Sequence, residues 1–199
     1  MTNTNIGKLH ERLWGHGVRT PTPRQNFELL YWVAKGALRP PSGHFVELGT
    51  FRGFSAMIIT QAIRDGGSET HLTTVDKYAL DPEGEKRTRA NFQVCGYGGG
   101  RINLHVGDDL EYIRSLPDES IKFLFVDSWH DYRHVESTLQ LAFLKMMPTG
   151  IICGDDYLPQ EMGVVRAVEG FRQKHSKSLA GFNVYFSFWW TMKKHKEWA

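Results

Sequence analysis

Strand-like and helix-like segments alternate along this 199-residue chain, and that alternation predicts an α/β fold in which helices cover both faces of a parallel sheet. Three observations support it. Short apolar runs, "HFVEL", "TTVD", "INLHV", "IKFLFV" and "GIICG", recur at roughly 25-residue spacing, as strands joined by crossover helices do. The intervening segments carry apolar residues at helical spacing. The length suits one sizeable core and is short for two domains.

The first 23 residues are polar and Gly-containing and end in "TPTP", so they are expected to form an N-terminal arm ahead of a domain spanning residues 24–199. Phe27, Leu30, Tyr31, Ala34 and Leu38 then recur at helical spacing, and "RPPSG" ends that helix. "HFVEL" is the first strand, and "GTFRGFSAMIITQAIRDGG" is a turn feeding a helix closed by Gly66. "THLTTVD" is the second strand, followed by a helix and a Gly-rich connection in "PEGEKRTRANFQVCGYGGG". "INLHV" leads into the short helix "DDLEYIRSL", with an Asp as its cap. "IKFLFV" precedes the helix "HVESTLQLAFLKMM", and "GIICG" precedes "EMGVVRAVEGFRQKH". The closing "GFNVYFSFWWTMKK" has the aromatic composition of strands.

Composition narrows the function. Hydrophobic residues make up 41% and charged residues 23%, ordinary for a globular protein. The net charge is +2 with Lys and Arg scattered, which argues against a nucleic-acid partner. The terminal "KKHKEW" reads as a solvated basic tail. Cys95 and Cys153 lack metal-type spacing and read as reduced, consistent with a cytoplasmic protein. No signal-peptide core and no membrane-spanning run is visible.

In parallel α/β folds ligands bind beyond the carboxyl ends of the strands, so the residues standing there are the site candidates. After the first strand, Gly49 and Gly53 frame a tight turn, and Phe51 occupies the place where a pyrophosphate-binding turn needs glycine. That suits a nucleotide-like cofactor without a pyrophosphate, or an ordinary strand-to-helix turn. After the second strand, Asp76 is placed to accept hydrogen bonds from a ribose diol, with a helix cap as the alternative. Asp108 or Asp109 reads first as a cap. Asp127 follows the fourth strand, and Asp155 and Asp156 follow the fifth, so three hard oxygen donors converge on one edge. They suit Mg²⁺, Mn²⁺ or Ca²⁺; the alternative is one cap and one solvated acid. His130 lies three residues past Asp127 and is a candidate general base. His134 lacks the Glu and third ligand of a zinc site and reads as a surface or helix-packing histidine.

The segments "FVELGTFRGFSA", "TVD", "VGDDLEYIRSLPDESIKFLFVDSWHDYRHVESTLQLAFLKMMPTGIICGDDY" and "GVVRAVEGF" resemble the class I S-adenosylmethionine-dependent methyltransferases. Within that class they look most like the metal-dependent O-methyltransferases, closest to the bacterial macrocin-type enzymes and more distantly to catechol O-methyltransferase. The resemblance covers about residues 40 to 175. It implies a single Rossmann-like domain with a mostly parallel seven-stranded sheet in the order 3-2-1-4-5-7-6. It also implies S-adenosyl-L-methionine as cosubstrate, with Glu47, Gly49, Phe51, Gly53 and Ser55 at its methionine end. Asp76 would take the ribose, and the Gly107–Asp109 segment, including Asp108, would lie beside the adenine. Asp127, Asp155 and Asp156 would match the ligands of Mg²⁺ or a similar cation, with His130 and Asp127 as catalytic residues. The family's C-terminal hairpin has little room for its turn here, so the sixth strand is expected to be short or irregular.

The resemblance implies methyl transfer to a hydroxyl of a small molecule, such as a sugar, a natural product or a catechol-like diol. Nucleic-acid N-methylation fits poorly, because "DSWH" stands where such enzymes carry an Asp/Asn-Pro-Pro-Tyr motif. A binding protein without catalysis, or another metal-dependent reaction on the same scaffold, are the remaining alternatives. Trp14, Trp129, Trp189 and Trp190 are candidates for a substrate pocket or a homo-oligomer interface.

Overall fold

The described structure, a computed structural model, comprises residues 5–195; residues 1–4 of the expected arm and the end of the "KKHKEW" run lie outside it. Two helices come first, α1 (Asn5–Gly15) and α2 (Arg24–Gly36). Strands and helices then alternate: β1 (His44–Leu48), α3 (Phe54–Asp65), β2 (Leu72–Asp76), α4 (Gly84–Val94), β3 (Ile102–Val106) and α5 (Asp109–Ser115). The chain continues through β4 (Ile121–Val126), α6 (Tyr132–Lys145), β5 (Met146–Gly154), α7 (Met162–Lys174), β6 (Leu179–Tyr185) and β7 (Phe188–Lys193). The sheet order is β3-β2-β1-β4-β5-β7-β6. The first five strands pair in parallel, and β7 runs antiparallel to both β5 and β6.

Side-chain alternation divides the interior into two layers. Phe45, Phe123, Phe125, Cys153 and Phe188 project into a core shared with α1 to α4. Val46, Leu48, Leu124, Val126, Ile152 and Trp189 project into the opposite core, under α5, α6 and α7. Every residue of β4 is buried, as a central strand covered on both faces requires. Cys95 and Cys153 are free and buried.

Three local expectations need correction. The N-terminal segment expected as a loose arm contains α1, whose Ile6, Leu9 and Leu13 are buried in the first core. The helix expected to run through Met147 stops at Lys145, because Met146 pairs with Ile121 and starts β5. The closing hairpin turns on only two residues, Phe186 (φ 53°) and Ser187, and β6 spans seven residues with the expected irregularity, between Ala180 and Phe182. Trp189 is also buried within the core, which removes it from the candidates for an exposed surface.

Candidate active site

The backbone at the ends of β1, β2 and β4 is drawn together by hydrogen bonds. Gly49 N donates to Val75 O (2.9 Å), Gly107 N to Asp76 O (3.1 Å) and Asp127 N to Leu48 O (2.9 Å). Gly49 has φ 92°, and a Cβ on it would sit 1.9 Å from Asp127 O, so both the turn and the close approach of β4 require glycine there. Gly53, also left-handed, precedes α3 as its N-cap.

A cavity of about 440 Å³ opens at this edge, lined by Gly49, Phe51, Asp76, Gly107, Asp109 and Asp127 among others, with Ser128 and Trp129. Asp76 organises its wall. Its Oδ2 accepts from Thr50 N (3.0 Å) and Phe51 N (2.8 Å), and its Oδ1 accepts from Tyr78 N (2.7 Å). Phe51 and Tyr78 both have positive φ, so the same carboxylate holds two sterically unfavourable residues at the cavity rim. Glu47 lies fully buried in β1, outside the lining. Thr74 donates to its Oε2 and in turn pairs with Thr50 (2.6 Å), whereas Oε1 has no partner among the described residues. Burial pushes its acid up to about 7 despite the hydroxyl bonds. Ser55, in α3, is buried nearby, and its hydroxyl works against that rise.

Asp108 and Asp109 separate in role. Asp108 caps α5, accepting from Leu110 N and Glu111 N, and faces Lys77 at 3.6 Å. Asp109 is buried and lines the cavity; its Oδ2 accepts from Ser128 Oγ and lies opposite His134 Nε2, each at 2.8 Å. Burial alone would raise its acid, but the His134 and Ser128 bonds outweigh it and the net shift is downward. His134 therefore packs helix α6 against α5, as expected of a helix-packing residue.

The second cluster stands at the ends of β4 and β5. Donor atoms of Asp127, His130 and Asp156 all lie within 4.8 Å of one another. His130 Nε2 is 3.0 Å from Asp156 Oδ2, and its Nδ1 is 3.5 Å from Glu161 Oε2. The Asp156 bond raises the His130 pKa, with Glu161 and Asp155 adding to it. Burial, followed by the charges of Asp155, Asp156 and Glu47, holds the Asp127 acid well above the ordinary carboxylate range. Asp155 stands outside the three-residue set. Its Oδ1 accepts from Asn26 Nδ2 (2.8 Å), Ser187 Oγ (2.5 Å) and Asp156 N (2.9 Å), and burial raises its acid against those bonds.

The structure thus gathers Gly49, Phe51, Asp76, Asp109 and Asp127 around the cavity, and Asp127, His130 and Asp156 around a cluster that shares Asp127 with it. Glu47, Gly53, Ser55 and Asp108 support the turn and the helix starts from behind. Sequence reasoning missed Asn26, Ser128, Glu161 and Ser187. Only Asn26 carried a signal: a polar residue beside Phe27 on the face of α2 that otherwise buries Leu30, Tyr31 and Ala34.

A parallel sheet that reverses at its last strand, with a cavity at the carboxyl ends of β1, β2 and β4, defines a Rossmann-like fold with its cavity at the switch point, where such folds take their ligands. The chain matches the family described as "Methyltransferase domain" over residues 46–157, more than half its length, and it belongs to that family. Proteins named as O-methyltransferases from Mycolicibacterium smegmatis and Mycolicibacterium vanbaalenii are 35% and 34% identical over 83 residues, 42% of this chain. The matched segment spans 37% and 34% of those relatives, about a third of their length. Among solved structures, TomG from Streptomyces achromogenes, an O-methyltransferase involved in tomaymycin synthesis and solved with S-adenosylmethionine, superposes with a TM-score of 0.69 at 15% identity. The O-methyltransferase from Bacillus cereus, solved with S-adenosylhomocysteine, gives 0.66 at 16%. Each comparison covers 98% of this chain and 92% of the other, and at these identities what is shared is the fold. Among the described residues no helix is long and apolar enough to cross a membrane.

Proposed function

We propose that this protein transfers a methyl group from S-adenosyl-L-methionine to a hydroxyl of a small molecule, with a divalent cation, Mg²⁺ or similar, at the acceptor side. The observation that carries this reading is that Asp127 belongs to both the cavity and the carboxylate–histidine cluster, so cofactor and acceptor groups adjoin. Asp76 would bind the ribose, Gly49 and Phe51 the methionine end, and Asp109 the base.

The cluster fits a cation. Several carboxylates crowd together with His130 close beside them, and the Asp127 acid is raised by burial first and by those neighbouring charges second. Hard carboxylate oxygens gathered this closely are the donor type that Mg²⁺ or a similar cation takes. Asp127 and Asp156, with the second oxygen of Asp155, would hold it. When bound, the cation would stabilise negative charge on the acceptor oxygen. His130, held between Asp156 and Glu161, would take the hydroxyl proton at one ring nitrogen, and the oxygen would take the methyl as its bond to sulfur breaks and S-adenosylhomocysteine leaves. Trp129, about two-fifths exposed and bordering both clusters, supplies an apolar wall that limits water. A diol or catechol-like acceptor suits the site, because two neighbouring oxygens can share one cation and orient the reacting one. A cytoplasmic setting fits the free thiols.

Calorimetric titration of S-adenosylhomocysteine, followed by a screen of diol and catechol acceptors with and without chelator, tests this. Micromolar binding and chelator-sensitive methylation are expected. Absence of binding in both conditions would overturn the reading.

A further inference from the structure

Asn26 is 1% exposed, an unusual position for a primary amide, and it is committed almost wholly to the acidic site. Its Nδ2 donates to Asp155 Oδ1 (2.8 Å) and Ser187 Oγ (2.6 Å), while Ser187 Oγ donates to the same Oδ1 (2.5 Å). The three side chains close a triangle of hydrogen bonds. The amide nitrogen has two hydrogens and the hydroxyl one, so every proton in the triangle is used. The corners come from α2, the end of β5 and the β6–β7 turn, separated by up to 161 residues of sequence. Asn26 Oδ1 has no partner among the described residues, which leaves a hard oxygen beside the carboxylates.

Together with Asp156 N, the triangle places three donors on one oxygen of Asp155. A carboxylate oxygen so occupied no longer serves as a ligand, and rotation of the carboxyl group would break all three bonds. Asp155 stands outside the donor set of Asp127, His130 and Asp156, and with Oδ1 so occupied Oδ2 is the one oxygen it can offer a cation held there.

We propose that Asn26 and Ser187 are positioning residues for cation binding: by saturating Oδ1 of Asp155 they fix it as a one-oxygen ligand beside Asp127 and Asp156. The inference rests on the cation reading above. Partners that orient a ligand in this way influence metal affinity by about 10- to 100-fold.

The test uses Mn²⁺ as probe, its binding to the full chain followed by electron paramagnetic resonance of the free ion, with S-adenosylhomocysteine affinity measured in parallel. Asn26→Ala and Ser187→Ala are compared with the unaltered protein; Ser187→Ala removes a single hydroxyl and serves where the loss of Asn26 impairs folding. The expected result is Mn²⁺ binding weakened about 10-fold or more in each folded variant, with S-adenosylhomocysteine affinity within about 2-fold. Unchanged Mn²⁺ affinity in a folded variant would overturn the positioning role and leave the cation reading intact. Equal weakening of both ligands would also overturn it, because it marks a general structural role. No Mn²⁺ binding by the unaltered protein would overturn the cation reading, and this inference with it.

Discussion

Glu47 shows what a single buried carboxyl does to the stability of the chain. It lies near the carboxyl end of β1 opposite Thr74, and its acid lies near 7 against 4.5 for a free side chain. Between those values the folded state holds a proton that the unfolded state has released, so stability falls as pH rises through this window and levels off above it. The full penalty is on the order of 3 kcal/mol. Glu47→Gln remains neutral throughout, so the variant should gain on the unaltered protein as pH rises. Melting temperatures at pH 5 and pH 8 check this: the difference between the two proteins should shift by several degrees in favour of the variant at pH 8. A pH-independent difference would show that Glu47 stays ionised. Glu47 was readable from the sequence only through family resemblance. Its raised acid comes from complete burial, which outweighs the hydroxyls of Thr74 and Ser55, and a linear reading does not supply that burial.

Between elements, the Asp109–His134 pair joins α5 to α6 under the cavity wall. Both side chains are largely buried, and removing His134 leaves the Asp109 carboxylate under-satisfied. His134→Ala should therefore cost about 1–3 kcal/mol in denaturant unfolding. Because Asp109 lines the cavity, the variant should also bind S-adenosylhomocysteine more weakly. Loss of neither property would mean that Ser128 alone holds Asp109. At this scale the sequence was most legible in the middle of the chain, where each strand from β1 to β5 is bounded by its own turn residues. It failed where local pattern competes with pairing. "LKMM" continues the apolar period of α6, yet Met146 is drawn into the sheet by Ile121. The hairpin turn needs Phe186 at positive φ, which turn statistics assign to Gly or Asn, so its two-residue geometry could not be read from residue types. In α1 the apolar positions Ile6, Leu9 and Leu13 do follow helical spacing, but the surrounding polar and Gly residues masked it.

For the whole molecule, strand order separates two tasks. β1, β2 and β3 carry Gly49, Asp76 and Gly107 on one side of the crevice, and β5 carries Asp155 and Asp156 on the other. β4 lies between them and gives Asp127 to both. Strand-end position made these residues visible in advance, because the chain returns to the same edge after each crossover. The side chains that brace them arrive from α2 and the final hairpin, which nothing local connects. The arrangement predicts a double dissociation. Asp76→Ala should abolish measurable S-adenosylhomocysteine binding, since it removes the proposed ribose acceptor and releases Thr50, Phe51 and Tyr78 from their anchor. Its Mn²⁺ affinity should stay within a few-fold, because Asp76 is absent from the carboxylate–histidine cluster. Asp156→Ala should do the reverse, losing Mn²⁺ while keeping the nucleoside ligand. Asp127→Asn should impair both, as the one carboxylate common to the two sites. Titrating the three variants with each ligand decides it. If Asp76→Ala and Asp156→Ala each lost both ligands, cavity and cluster would form one indivisible site, and the division of labour along the sheet would be wrong.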